Sequence, residues 1–355
     1  VNQTFTENSI EDGIEIFNTL LPKLRVQEHK ALCHAFLAKG YLQYKNYNSR
    51  HLEQQSVSDI PAPSMDMWTL RMISDTICYH LNQSMRLAGD VPSGYYEDFF
   101  PGGNRLGFKL RPRLMDMLMD DALITLTDQR LIIGKRSFLE DSLLYGSANE
   151  FLRAVENVGP DDPDLWPFYV LKSLTLNNMD SKPSIRATID FRRMSLLSDY
   201  MEANFASTWD KTLDRWVEGT VKLAQNYEKR VNFSTMFYAM ASRMIVTYIP
   251  SFENEPDRQV AMQKMAYDLC VQAQKKWPKS EGAFECLKIK EEMESKTLNL
   301  SNNRRDLVAG EHNPIMLSYS NTNRVYLKII EVTGRYRNDF SKEILPDLNR
   351  ITPVE

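Results

Sequence analysis

Glycine is scarce in this chain of 355 residues, with 14, and histidine scarcer still, with 5. So few glycines weigh against a turn-rich all-β fold, and so few histidines leave little material for imidazole catalysis or metal centres. The four cysteines, Cys33, Cys78, Cys270 and Cys286, lie far apart, and the first three sit in apolar helical contexts. They do not form a disulfide framework. Cys270 and Cys286 could still pair across two neighbouring helices, which leaves the redox compartment open.

Long apolar runs are missing too. No stretch reaches the ~20 residues of a membrane span, and residues Val1 to Ser9 are polar, without the basic start and apolar core of a signal peptide. Either the protein is cytosolic or a targeting segment was removed before Val1. There is no charge of one dominant sign: 43 basic and 47 acidic residues leave a formal charge of -4, so no net field draws the chain onto nucleic acid or an anionic bilayer. Gly-x-Ser-x-Gly elbows, His-Glu-x-x-His helices and Cys-x-x-Cys pairs are absent, and the carboxylates, though plentiful, carry no acid-base assignment without geometry.

What the chain has is helical periodicity. Hydrophobic residues make up 43% and charged residues 25%, enough to bury a core without metals or crosslinks, and 17 methionines supply adaptable packing. Ile14, Phe17, Leu20, Leu21 and Leu24, then Leu32, Ala35, Phe36 and Leu42, predict a helical hairpin from Ile10 to Tyr47, with Pro22 as its irregularity. Ser64 or Asp66 is expected to cap a helix from Met67 to Leu87. Residues 89–113 read as an ordered connection anchored by Tyr95, Tyr96, Phe99 and Phe100. Helical spacing resumes at Leu114 and again through Phe138 to Val155, until the breaker run Gly159-Pro160-Asp161-Asp162-Pro163-Asp164.

Further helices are expected over Trp166–Met179, Ile185–Phe205 and Thr208–Glu228. Two helix pairs then look alike: Trp209–Tyr227 with Ser234–Tyr248, and Asp257–Trp277 with Ser280–Met293. Their offset of roughly fifty residues exceeds the ~34 of a tetratricopeptide unit, so the region is tetratricopeptide-like without belonging to that class. Trp277-Pro278-Lys279-Ser280 reads as a helix stop followed by a capped start. After Lys296 the period changes to short β-prone runs, Thr297–Leu300, Asp306–Ala309, Ile315–Tyr319 and Val325–Val332, with Asn321-Thr322-Asn323 as a turn. The expected fold is mainly α: stacked antiparallel helix pairs forming a tetratricopeptide-like α-solenoid, then a short C-terminal antiparallel β segment. The expected divisions are an N-terminal helical region over 1–160, helical pairs over 161–296 and a β segment over 297–355.

Each chemical motif has a plainer reading beside it. Gly102-Gly103-Asn104-Arg105-Leu106-Gly107-Phe108-Lys109 suggests a phosphate cradle, but Phe108 interrupts the required Gly-Lys-Ser/Thr. His29, Cys33 and His34 are zinc-ligand types at near-helical spacing, yet a structural site needs four ligands and no second cluster follows. Packing is the better account. Arg192-Arg193 and Asn303-Arg304-Arg305 could meet phosphates but lie among acids and read as solvated surface. Asp161-Asp162-Pro163-Asp164 lacks the glycine and distal glutamate of a calcium loop. No catalytic, cofactor-binding or metal residue is assigned, no cofactor is expected, and the chain reads as no enzyme.

One set of residues, taken in order, resembles a known family. It comprises Tyr41-Leu42-Gln43-Tyr44 with Asn48-Ser49-Arg50, Asp66-Met67-Trp68, and Arg111-Pro112-Arg113-Leu114-Met115-Asp116-Met117-Leu118 with Ala122-Leu123. Lys276-Trp277-Pro278-Lys279-Ser280-Glu281-Gly282-Ala283 follows, then Ile315 to Tyr319 and Asn323-Arg324-Val325-Tyr326-Leu327-Lys328-Ile329. Together these resemble the N-terminal helical region of the alpha-2-macroglobulin-like envelope proteins of Bacteroidetes-type bacteria, where helices pass into the first of many macroglobulin-like β-domains. The resemblance implies a non-catalytic scaffold or interaction region in a large protease-trapping protein of the cell envelope, periplasmic or outer-surface, either secreted or lipid-anchored through a segment removed before Val1. Its implied partners are the downstream β-domains and the trapped proteases, with no nucleic acid and no membrane span. The family's thioester pattern, Cys-x-Glu-Gln, is absent, since Cys286 is followed by Leu287-Lys288-Ile289, so no family site residue carries over. Apart from the resemblance, the helix pairs alone suggest a free-standing module that binds a peptide or protein in a concave groove.

Overall fold

The computed structural model describes residues 10–54, 65–99, 105–127, 136–160, 165–205, 211–252, 255–301 and 316–326. Over these residues the protein is mainly helical, with packed helix pairs and a short two-stranded antiparallel sheet near the C-terminus. The chain divides into two compact units, Val1–Ile289 and Lys290–Glu355.

The first unit opens with α1 (Ile10–Leu20) and α2 (Gln27–Tyr47), joined through a 3-10 turn over Leu21–Lys23. Pro22 sits in that turn, where its missing amide costs no helical hydrogen bond. A short α3 (Ser49–Gln54) follows, then α4 (Leu70–Leu87). The helix begins later than its sequence suggests. Met65–Met67 form a separate 3-10 turn, and the cap is Thr69, whose Oγ1 accepts from the Met72 amide at 3.3 Å. Asp66 does not cap it, and Ser64 lies outside the described residues. Helices α2 and α4 bury Leu37, Ile73 and Ile77 completely along their seam, each contributing about 1.5–3 kcal/mol by its removal from water.

The connection that follows is ordered by backbone pairing. Ser93 donates to the Pro112 carbonyl at 2.9 Å and Leu114 to the Val91 carbonyl at 2.8 Å, bracketing α5 (Arg105–Leu110) and starting α6 (Leu114–Thr127). Its aromatics do not all act as anchors. Tyr96 packs on the Ala31, Leu32, Ala35 and Phe36 core, whereas Tyr95 is 78% exposed; Phe100 lies outside the described residues.

The periodic stretch from Phe138 to Val155 is not one helix. It splits into α7 (Arg136–Leu139), a 3-10 turn over Ser142–Tyr145 and α8 (Ala148–Ala154). Local side chains cause the break: Asp141 accepts from the Leu143 amide at 2.9 Å, and Ser147 forms a capping box with Glu150. The breaker run 161–164 lies outside the described residues.

Six longer helices follow: α9 (Trp166–Asn177), α10 (Pro183–Phe205), α11 (Lys211–Tyr227), α12 (Ser234–Tyr248), α13 (Pro256–Lys276) and α14 (Glu281–Glu294), the last running past the end of the unit at Ile289. Of the two expected pairs, the first is present, α11 packing on α12; α13 packs chiefly on α12 rather than on α14, its expected partner. At the expected turn, Ser280 Oγ accepts from the Ala283 amide at 3.3 Å and so caps α14. The four cysteines form no disulfide; Cys270 and Cys286 are both buried thiols.

In the second unit, β1 (Thr297–Ser301) pairs antiparallel with β2 (Met316–Ser320), Leu298 opposite Tyr319 and Leu300 opposite Leu317. Asn321 follows with φ of 53°, and its side-chain amide donates to the carbonyls of Met293 and Ser295 at 2.6 and 2.9 Å. Asn tolerates this left-handed backbone better than most residues. The expected strand at Asp306–Ala309 lies outside the described residues. So does that at Val325–Val332, except for Val325 and Tyr326, which have no regular structure.

Candidate functional site

Acidic and basic side chains converge most densely where α6 meets α9 and α10. Asp116 accepts from Arg113 through both carboxylate oxygens, at 2.7 and 2.9 Å, and from the Asn178 amide at 2.9 Å. One turn later, Asp120 meets Arg192 at 2.9 and 3.3 Å and Arg111 at 2.5 Å. The two carboxylates line a small cavity with Leu110, Leu174 and Ile189. A carboxylate pair in a cavity is the raw material of acid-base catalysis. Here, however, each oxygen already faces a fixed donor, and the arginines come from two segments, the loop before α6 and α10. The arrangement staples α6 to α10 and to the loop before it. The Arg113 guanidinium is held charged first by its hydrogen bonds to Asp116, and it also donates to the Asn177 carbonyl at 3.0 Å.

Arg192 and Arg193 overturn their reading as solvated surface. Arg192 binds Asp120, and Arg193 is 1% exposed. The Arg193 guanidinium meets Asp190 at 2.9 Å and donates to the carbonyls of Gly146 and Ser147 at 2.7 and 3.3 Å. It also lies 4.9 Å from the centre of the Phe151 ring. Burial pushes its pKa down, and Asp190 opposes that shift. The Tyr227 hydroxyl donates to the second oxygen of Asp190 at 2.7 Å, so this buried charge pair ties the start of α8 to α10 and α11.

A third cluster joins the two helix pairs. Glu228 accepts from Tyr238, Gln272 and Lys276 at 2.9, 3.2 and 3.0 Å, while its carbonyl accepts from the Trp277 indole at 2.8 Å. Burial raises the Glu228 pKa, and the three donors together outweigh it, leaving a net decrease. Trp277 and Ser280, within the motif that carries the family resemblance, are thus spent on packing one pair against the next.

The zinc-type residues separate. Cys33 donates to the Phe17 carbonyl at 3.5 Å, His29 sits edge-on to Tyr96 at 6.2 Å, and His34 turns to His80, with Nδ1 atoms 2.8 Å apart. Burial pushes the Cys33 thiol up to about 11. Among the described residues no three His, Cys, Asp or Glu side chains are grouped to hold a metal. Of the Gly-rich run, Arg105 to Lys109 form part of α5, while 102–104, like Asn303-Arg304-Arg305 and 161–164, lie outside the described residues.

Two features face outward. An open groove of about 310 Å³ runs along α4, lined by Arg71, Asp75, Tyr79 and Asn82 against Pro160 and Trp166. In the second unit, the pairing register puts Leu298, Leu300, Leu317 and Tyr319 on one face of the β ribbon, and Leu298, Leu300 and Tyr319 are each more than half exposed. Such an apolar face is unusual unless something covers it. No helix among the described residues is long and apolar enough to cross a membrane. Comparison with protein-family models, curated proteins and solved structures finds no match for this chain.

Proposed function

We propose that this chain is the non-catalytic, N-terminal helical scaffold of a larger bacterial envelope protein of the alpha-2-macroglobulin-like, protease-trapping kind. The observation that supports the reading best is the handover at Thr297, where helix pairs give way to a two-stranded ribbon with an exposed apolar face. An isolated two-stranded ribbon is marginal in water and gains stability when another layer packs on its apolar face. Further β-domains of the same protein are the partners that such a face suits.

The polar clusters agree with a scaffold role, because the carboxylates of Asp116, Asp120, Asp190 and Glu228 are each engaged by arginine, lysine, tyrosine or amide donors from other segments. The trapping activity belongs to the whole protein, and the location proposed is the periplasm or outer surface. The test is protease capture: the full-length protein forms stable complexes with added proteases, and this chain alone forms none. Capture by the isolated chain, or turnover of a substrate by it, would overturn the reading.

The groove along α4 favours a second reading, a free-standing helical-repeat module that grips a peptide or protein partner. It predicts that the isolated chain retains a specific ligand in a pull-down from envelope extract, and that Tyr79→Ala in the groove releases it.

A further inference from the structure

Where α2 packs on α4, Nδ1 of His34 and Nδ1 of His80 approach to 2.8 Å. Both residues are buried. A contact of this length requires one ring to donate its Nδ1–H and the other to present a lone pair. Aromatic groups wall the pair in. Tyr41 stacks on His80 at 5.5 Å and on Trp68 at 5.8 Å, and Tyr79 meets both imidazoles edge-on at 6.2 and 5.2 Å.

The charged surroundings give a cation no help. Lys30, on α2, disfavours a positive His34, and His34 in turn disfavours a positive His80. The nearby carboxylates act elsewhere: Asp121 on α6 binds Lys39 at 2.8 Å, and Glu11 on α1 and Asp66 before α4 act on Tyr44. Cys78 on α4 is a thiol raised to about 11 by burial and Asp75, so it supplies no anion.

We propose that the His34–His80 pair is an acid-sensitive latch, which holds α2 against α4 while it is neutral and releases them once both rings are protonated. Each ring takes one proton from solvent to become an imidazolium. The first proton can enter at Nε2 of the donor ring with the contact kept. The second must enter at Nδ1 of the acceptor ring, which sets two N–H groups face to face at hydrogen-bond distance and replaces attraction with repulsion. The buried seam around Leu37, Ile73 and Ile77 then loses its polar tie.

The test uses the full chain, in which only five imidazoles need be resolved by NMR. Two of them should titrate below the ordinary imidazole value, one as the Nδ1–H tautomer and one as the Nε2–H tautomer. Between about pH 7 and about pH 4.5, hydrogen-exchange protection of α2 and α4 amides, corrected for intrinsic rates, should fall about tenfold more than that of α11 and α12. His80→Phe, which keeps a ring against Tyr41, should abolish the difference. Titration of both imidazoles near the ordinary value, parallel loss of protection in all four helices, or an undiminished difference in His80→Phe would each overturn the latch. Should that variant not fold, titration and exchange of the wild type decide alone.

Discussion

The hydroxyls of Thr235 and Ser280 lie 2.8 Å apart in a buried contact that joins the starts of α12 and α14 across forty-five positions of chain. Ser280 Oγ also donates to the Trp277 carbonyl at 2.7 Å and accepts the capping bond from Ala283. Ser280→Ala removes the cap and one partner of the Thr235 hydroxyl, which keeps only its bond to the Asn232 carbonyl at 2.8 Å. We expect a loss of roughly 1–3 kcal/mol in unfolding free energy by urea titration. A change of less than a few tenths would show the turn to be solvated and loose.

The same turn makes a glycine necessary. A Cβ on Gly282 would fall on the backbone of Thr235 and Met236, so α14 can approach α12 only without one. In an open helix, Gly→Ala stabilises by about 1 kcal/mol. Here Gly282→Ala should instead destabilise by about 1–3 kcal/mol, as an overpacked core does. The sign of the change in melting temperature separates the two cases.

Helix stops and starts were legible in the residues where proline, serine and tryptophan act locally. Trp277-Pro278-Lys279-Ser280 announces its turn, and α12 spans the expected Ser234–Tyr248. What could not be read was set by distant partners. Arg193 resembles any surface arginine in sequence, because the carbonyls that hold it belong to Gly146 and Ser147, more than forty residues away. His34 was drawn toward Cys33 and His29 by spacing, while its partner, His80, lies on another helix. Phe138 to Val155 has helical periodicity, yet the side-chain caps of Asp141 and Ser147 compete with it and win. The acid pair Asp116 and Asp120 is a simple i, i+4 repeat in sequence with Arg113 three residues before Asp116, and only the fold brings Arg111 and Arg192 onto Asp120.

Charge pairs in this protein should differ widely in worth. Arg193→Met leaves Asp190 buried with Tyr227 as its remaining neighbour, and removing one partner of a buried pair typically costs about 3–5 kcal/mol. Arg71 and Asp75 are 3.9 Å apart and largely exposed, so Arg71→Met should change stability by less than about 0.5 kcal/mol. Equal effects in chemical denaturation would contradict the burial of Arg193.

Stability should fall on mild acidification. Burial, followed by the influence of His34, brings His80 down to about 4 in the folded protein, below its ordinary 6.5. The folded state therefore binds fewer protons than the unfolded chain as the pH drops below 6.5. The stabilisation is fully present above that value and is lost progressively toward about pH 4, by roughly 2–3 kcal/mol. Urea midpoints measured across that window should decline in the wild type and stay flatter in His80→Phe. A wild-type profile as flat as the variant's would contradict the assignment.

The scaffold reading is tested most directly by the mass of the native gene product, detected in cell-envelope fractions with an antibody raised against α11 to α14. The account predicts a species several times the 41.2 kDa of this chain, carrying macroglobulin-like β-domains after Glu355. A native product of about this chain's own mass would contradict it.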